Sequence, residues 1–138
     1  KKFIPMEARA YLMSTQKKYD VIFLDAYLGG ITLPEHLVTA NFYRQVKDHL
    51  KDHGIVAMNF IASPSFTTPF SRNLDNTVRR VFPHISRHVI MENDNLWKDK
   101  PEDNQNIIYM YKRHTDESTK EIYTDNKNRI FYDKPQKY

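Results

Sequence analysis

The chain of 138 residues contains no cysteine, which excludes disulfide bonds, thiolate metal ligands and cysteine nucleophiles. No apolar run approaches the roughly 20 residues that a membrane-spanning helix needs, and the apolar part of the N-terminal segment is too short for a signal peptide. We therefore expect a cytoplasmic protein. Glycine is scarce as well: the sequence has three, Gly29, Gly30 and Gly54, and no phosphate-cradling glycine loop.

The charge is modest and mixed, because 21 Lys and Arg oppose 17 Asp and Glu, for a formal net charge of +4. Acidic residues lie between the basic ones, and no basic cluster is longer than a pair, so we expect no nucleic-acid partner. A weakly cationic surface still favours anionic small molecules by electrostatic steering. The length suits one domain, and no internal repeat divides it.

Two continuous apolar runs, "DVIFLD" at 20–25 and "IVAMNFI" at 55–61, are rich in β-branched residues. Such runs are typical of strands covered on both faces of a parallel sheet. We predict a parallel pair from about 20–26 and 54–61, joined by a right-handed helical crossover, with helices on both faces of the sheet. Asp25 then lies at the carboxyl end of the first strand, where open α/β sheets bind their ligands.

The segment between those runs is predicted to be a helix over residues 41–51. Its apolar residues recur at every fourth position: Phe42, Val46 and Leu50. Thr39 is the expected N-cap and Gly54 the expected C′ residue. Threonine accepts a hydrogen bond from the first helical turn, and glycine adopts the left-handed backbone of a helix end without strain.

Four further elements complete the pattern. A short helix is predicted in "EARAYLMSTQ" near the N-terminus. A third helix ends at Pro83 and has an apolar stripe of Phe70, Leu74, Val78 and Phe82. The segments "HISRHVIME" and "NIIYMYKR" are predicted strands with no helix between them, so we expect an antiparallel pair at one side of the sheet. The alternation of strands and helices predicts an α/β fold.

From Tyr19 to Phe60 the sequence combines a strand "YDVIFLD", a loop, the pair "FY", and a helix reaching "LKDHG" before the next strand. With "MEARAYL" before it, this order resembles the spermidine synthase and spermidine synthase-like family over Met6 to Phe60, and more weakly beyond. The resemblance implies a Rossmann-like, methyltransferase-type α/β sheet. This chain would be its second half, from the fourth strand onward, with parallel strands and a terminal antiparallel pair. Residues 1–113 would form this half domain and 114–138 a polar tail.

The resemblance also implies an activity and roles for individual residues. Asp25 matches the catalytic general base, which accepts a proton as an amine nitrogen attacks the carbon next to a sulfonium. Glu7 and Ala8 match cofactor-binding positions near the adenine amine, although the family usually has aspartate in place of Glu7. Tyr27 could line the substrate site or pack as a loop aromatic, and His36 is expected to order the loop. The implied activity is aminopropyl transfer in polyamine biosynthesis, from decarboxylated S-adenosylmethionine or S-adenosylmethionine to a small-molecule amine.

Two departures from the family pattern limit that expectation. Leu28 stands where spermidine synthases have a second aspartate that holds the polyamine, so diamine binding in the usual manner is not expected. The G-x-G cofactor loop and the ribose-binding acidic residue have no match, so we expect no tightly bound cofactor on this chain. Gly29 and Gly30 let the chain pass close to a ligand or only form a turn.

The unmatched half has a consequence for assembly. We expect the first strand to pair with a missing N-terminal half or with a second copy, because its edge would otherwise stay open. The alternative function is a non-catalytic interaction module derived from the same fold.

Three weaker patterns have a functional and a structural interpretation. His49 and His53, at helical spacing, could bind a metal, but the dipole at a helix C-terminus favours histidine there without one, so no metal site is expected. A loop with three carboxylates surrounds Trp97, which could cover a pocket or anchor the loop; the carboxylates are Glu92, Asp94 and Asp99. The segment "RIFY" at 129–132 could cover the open strand edge.

Overall fold

The computed structural model describes residues 3–26, 33–90 and 104–114. Its helices are α1 (Ala8–Ser14), α2 (Ala40–Asp48) and α3 (Pro69–Val81), with a 3₁₀ turn at Glu35–Leu37. Its strands are β1 (Tyr19–Leu24), β2 (Leu50–Ala62), β3 (Ser86–Ile90) and β4 (Gln105–Lys112). The predictions for Tyr27, Leu28, the glycine pair, the acidic loop around Trp97 and the polar tail from 115 onward lie outside the described residues.

The four described strands form one mixed sheet in the order β1-β2-β4-β3. β1 and β2 are parallel, and β4 is antiparallel to both of its neighbours. The predicted α/β class, the parallel pair and the antiparallel pair at one side are confirmed. Because β1 and β2 run in the same direction, their carboxyl ends meet at one edge of the sheet, which is where ligands bind in open α/β folds.

Helix α2 begins as the sequence predicts and ends earlier. The Thr39 side chain accepts a hydrogen bond from the backbone N–H of Phe42 at 3.2 Å, so the N-cap is confirmed. The helix ends at Asp48 with His49 as its C-cap, so the predicted extension to residue 51 is wrong. Leu50 continues the apolar spacing and is buried, but it is the first residue of β2.

Gly54 lies inside β2, so its predicted place at the C′ position of a helix is wrong. Its role is to allow close backbone approach. A Cβ at this position would lie 2.9 Å from the carbonyl oxygen of Lys51 and 3.0 Å from that of Tyr19. The crowding coincides with a break in the β1–β2 register, where the pairing of Tyr19 with Leu50 is followed by that of Val21 with Ile55.

One face of the sheet carries the hydrophobic core, and all three described helices bury side chains in it. The helices contribute Leu12, Phe42, Tyr43, Val46, Leu74, Val78 and Val81. The two central strands contribute Val56, Met58, Phe60, Ile107, Tyr109 and Tyr111 at alternating positions. Burying each such side chain stabilises the fold by about 1.5–3 kcal/mol. No helix in the described part of the chain has the length and apolarity to cross a membrane.

The opposite face of the sheet is covered less. Val21 and Phe23 of β1 are 62% and 59% exposed, and Met110 of β4 is 43% exposed. The prediction of helices on both faces is met on one face only within the described residues. Phe70, expected in the buried stripe of α3, is 45% exposed. Ser71 takes the inward position instead, because the helical repeat of 3.6 residues rotates the stripe by one place in the first turn.

Candidate active site

Asp25 follows the last residue of β1, at the carboxyl edge of the parallel strand pair, as the sequence predicts. Its side chain is exposed, and its Oδ1 accepts a hydrogen bond from Nδ2 of Asn59 at 3.1 Å. The pairing of Leu24 with Met58 sets the register that brings these two side chains together. A carboxylate oriented by one amide can still accept from a second donor, such as a substrate ammonium.

Asn59 is the part of this site that sequence analysis did not single out. It is the one polar side chain in the run "IVAMNFI", and it lies one strand away from Asp25. An isolated amide in an apolar strand is a usable signal, because burying a polar group is costly unless it has a hydrogen-bond partner. Here Asp25 is such a partner.

A shallow cavity lies beside Asn59, between the ends of β1 and β2 and the segment after the first loop. Its volume is about 30 Å³, enough for one water molecule and too small for a nucleoside. Its wall is mostly apolar and is formed by Ala8, Leu24, Ala26, Leu33, Leu37, Phe42, Tyr43, Asn59 and Phe60. Ala8 thus lies at the same edge of the sheet as Asn59.

Glu7 has a structural task in the described fold. Its Oε1 accepts from the backbone N–H of Arg9 at 3.0 Å and its Oε2 accepts from that of Ala10 at 2.9 Å, so the carboxylate caps α1. These backbone bonds hold the pKa of Glu7 below its usual value, with a smaller contribution from His36. His36 Nε2 lies 3.1 Å from Oε1 of Glu7, so this contact joins the 3₁₀ turn to the beginning of α1.

A larger cavity lies away from this site. Its volume is about 640 Å³, and its wall includes Ile55, His84, Lys112 and His114. Ile55 pairs with Lys112 near the beginning of β2, so this cavity is at the end of the sheet opposite to Asp25. Because of this position, the cavity is not part of the candidate active site, although it is large.

His49 and His53 do not lie at helical spacing on one helix, so that interpretation is wrong. His49 caps α2, and its ring nitrogens lie 2.7 Å from the carbonyl oxygen of Gln45 and 3.0 Å from that of Thr15. His53 lies in β2 with a φ of 63°. Among residues 3–26, 33–90 and 104–114, no group of three or more histidine or carboxylate side chains is arranged to hold a metal.

The mixed α/β sheet is similar to part of a methyltransferase-type sheet. Residues 2–92 match the model of the spermine/spermidine synthase domain, and the chain belongs to that family. A curated relative, a probable polyamine aminopropyl transferase of Bifidobacterium longum (strain NCC 2705), is 32% identical over 76 residues. Those residues are 55% of this chain and 17% of that protein, so the chain corresponds to a small part of that relative.

Solved structures agree on the fold. A probable spermidine synthase from Corynebacterium glutamicum ATCC 13032 has a TM-score of 0.58 at 21% identity, covering 88% of this chain and 39% of that one. Human methyltransferase-like protein 13 in complex with SAH has a TM-score of 0.58 at 19% identity, covering 86% and 50%. A spermidine synthase in complex with the transition state analogue AdoDATO has a TM-score of 0.50 at 17% identity, covering 76% and 31%.

Proposed function

We propose that this chain is part of the catalytic domain of an aminopropyltransferase that uses an S-adenosylmethionine-type donor, with Asp25 as the general base. The observation that supports this most is the exposed carboxylate at the carboxyl end of β1, oriented by Asn59. In the proposed step the amine nitrogen attacks the carbon next to the sulfonium. The carbon–sulfur bond breaks, its electron pair stays on sulfur as a neutral thioether, and the proton leaves nitrogen for Asp25.

The donor site is proposed to be shared with sequence beyond this chain. Ala8 lies at the same edge of the sheet as Asn59 and Asp25. Both oxygens of Glu7, in contrast, already accept backbone hydrogen bonds. A ribose or adenine contact from Glu7 would have to share the carboxylate with the helix cap. We therefore propose weak donor binding by the 138 residues alone, and tighter binding in a protein as long as the relatives. Tyr27 stays a proposed amine-site residue.

The outer edge of β1 is the proposed place of association. β1 is an edge strand of the described sheet, and its residues Val21 and Phe23 are largely exposed. An apolar edge strand pairs readily with another chain or segment. We propose that a preceding part of the same domain, or a second copy, covers it. A cytoplasmic location is also proposed, since the absence of cysteine fits a reducing compartment.

The second candidate function is a non-catalytic interaction module, and the same exposed edge of β1 favours it. The two functions separate in one assay of the full-length protein with decarboxylated S-adenosylmethionine and a panel of diamines and polyamines. Aminopropyl transfer predicts a lengthened amine and a methylthionucleoside in equal amounts by mass spectrometry. No product, in an assay where an authentic aminopropyltransferase is active, contradicts the proposal and favours the interaction module.

A further inference from the structure

A chain of polar contacts runs from α3 along one face of the sheet to the loop after β2. Asp75 accepts bonds from Arg79 Nε at 2.8 Å and from Tyr109 Oη at 2.7 Å. Arg87 then donates from Nε to Tyr109 Oη at 3.2 Å and from Nη2 to the carbonyl oxygen of Pro64 at 2.8 Å. Tyr109 is 1% exposed, so the middle of this chain is shielded from water, where hydrogen bonds are electrostatically stronger.

The loop that receives Arg87 comprises residues 63–68. Phe66 within it has a φ of 59°, a left-handed conformation that is strained for a residue with a side chain. The Arg87 guanidinium lies over the Phe66 ring at 4.3 Å. Arg72 Nη1 donates to the carbonyl oxygens of Phe66 at 2.8 Å and Thr67 at 3.1 Å. Two arginines therefore stabilise a loop conformation that its own sequence disfavours.

The loop lies at the edge of the sheet that carries the candidate active site. It begins four residues after Asn59, at the carboxyl end of β2, which is the same edge of the sheet as Asp25. Strained backbone that the surroundings hold in place is concentrated at binding sites. Within the loop, Ser65 and Thr67 are exposed. The Thr67 hydroxyl bonds to Ser63 Oγ at 2.7 Å, and a hydroxyl oxygen has a second lone pair that can accept from an ammonium group.

We propose that Arg87 is a positioning residue that fixes loop 63–68 as one wall of the amine site. The bonds to Tyr109 and Pro64 set the plane of the guanidinium, and that plane sets the place of Phe66 and its neighbours. The loop supplies neutral hydroxyl and carbonyl acceptors to the amine, in a chain that has Leu28 where a second carboxylate would hold a polyamine. The identity of the ligand rests on the proposed function. The support that Arg87 gives to loop 63–68, called the brace below, rests only on the contacts of Arg87.

Amide hydrogen exchange tests the brace without any assay of activity. The N–H of Phe66 bonds to the Ser63 carbonyl oxygen at 3.4 Å, and that of Thr67 bonds to Ser63 Oγ at 3.2 Å. Arg87→Gln should speed exchange at these two amides by about tenfold or more, because a charge-assisted bond is lost from a strained loop. Core amides of β2 should keep the exchange rates of the wild type.

Arg79→Gln is the matched control, because Arg79 also bonds to Asp75 but its other described contact is the Ile85 carbonyl oxygen, away from the loop. This variant should leave exchange in 63–68 unchanged. Tyr109→Phe keeps the ring in the core and removes the hydroxyl that orients Arg87, so it should speed exchange in the loop even if Arg87→Gln does not fold. Wild-type exchange in 63–68 in both Arg87→Gln and Tyr109→Phe would overturn the brace.

Steady-state kinetics of the full-length protein test the role in amine binding. Arg87→Gln should raise the KM for the amine by roughly tenfold, with a smaller change in kcat and in the KM for the donor. The reason is that the displaced loop 63–68 is the part of the site proposed to contact the amine. Arg87→Lys keeps the charge but cannot reach both partners and should recover little. Equal changes for donor and amine would overturn the amine-site role. A wild-type protein without turnover would contradict the proposed function and with it the amine, while hydrogen exchange alone would then decide the brace.

Discussion

The side-chain amide of Asn59 donates a hydrogen bond to Oδ1 of Asp25 across 3.1 Å and so joins the carboxyl ends of β1 and β2. If Asp25 is the base, this bond fixes which oxygen faces the substrate. Asn59→Ala should therefore lower kcat by about tenfold in the full-length protein, since one orienting bond is worth roughly that much. Asn106→Ala, in β4, removes an exposed amide and should leave turnover unchanged. Equal activities of the two variants would remove the orienting role.

Crowding at Gly54 predicts a large loss of stability on adding one methyl group. Gly54→Ala places a Cβ within 3.0 Å of two carbonyl oxygens, so the β1–β2 junction has to shift. We expect the free energy of unfolding in urea to fall by about 1–3 kcal/mol. His53→Gly is the control at the neighbouring residue, whose φ of 63° suits glycine, and it should change stability by no more than about 1 kcal/mol. A Gly54→Ala protein as stable as the wild type would contradict the account of this junction.

Tyr109 predicts a loss of stability in alkali. Burial, and then the bond to Asp75, raise the pKa of Tyr109 from its ordinary 10.0 to about 12. Below pH 10 both the folded and the unfolded chain keep the proton; between about 10 and 12 the unfolded chain loses it first. Stability should fall over that window by up to about 2–3 kcal/mol relative to Tyr109→Phe. Urea unfolding of both proteins from pH 8 to 12 measures this, and a difference that stays constant would contradict it.

The exposed edge of β1 predicts association of the 138-residue chain. Val21 and Phe23 present apolar surface on an edge strand, so we expect dimers or larger species in sedimentation velocity at low micromolar concentration. Val21→Lys places a charge on the exposed face of this edge strand and should shift the distribution toward monomer. A wild-type chain that sediments as a clean monomer would show that the edge is not an association surface.

Much of this fold could be predicted from local patterns. Except for Asn59, the runs 21–24 and 55–61 are apolar, which marks them as strands, and the Thr39 cap marks the beginning of α2. The end of α2 could not be predicted from spacing, because Leu50 continues the four-residue period although it belongs to β2. The place of Gly54 could not be predicted either, because glycine marks both helix ends and close backbone approach, and only the register break in the β1–β2 pairing distinguishes the two.

The candidate site was predictable only in part. Asp25 follows from its place at the end of an apolar strand, whereas its partner Asn59 depends on how β1 and β2 are aligned. The contact between Asp75 and Tyr109 joins residues 34 positions apart, and it exists because β4 lies against α3. Contacts of this kind depend on sheet order and register, which local periodicity does not determine.

Replacement of Asp25 tests its proposed role as the general base. Asp25→Asn keeps the size of the side chain and an acceptor oxygen, but it removes the base, so turnover of the full-length protein with its amine should fall by about 10²–10⁴-fold. The matched control is Asp20→Asn at the other end of β1, where the carboxylate bonds to Lys51 on the surface at 2.8 Å. We expect normal unfolding curves for both variants and loss of kcat in Asp25→Asn alone. A folded Asp25→Asn protein with wild-type kcat would contradict the proposed role.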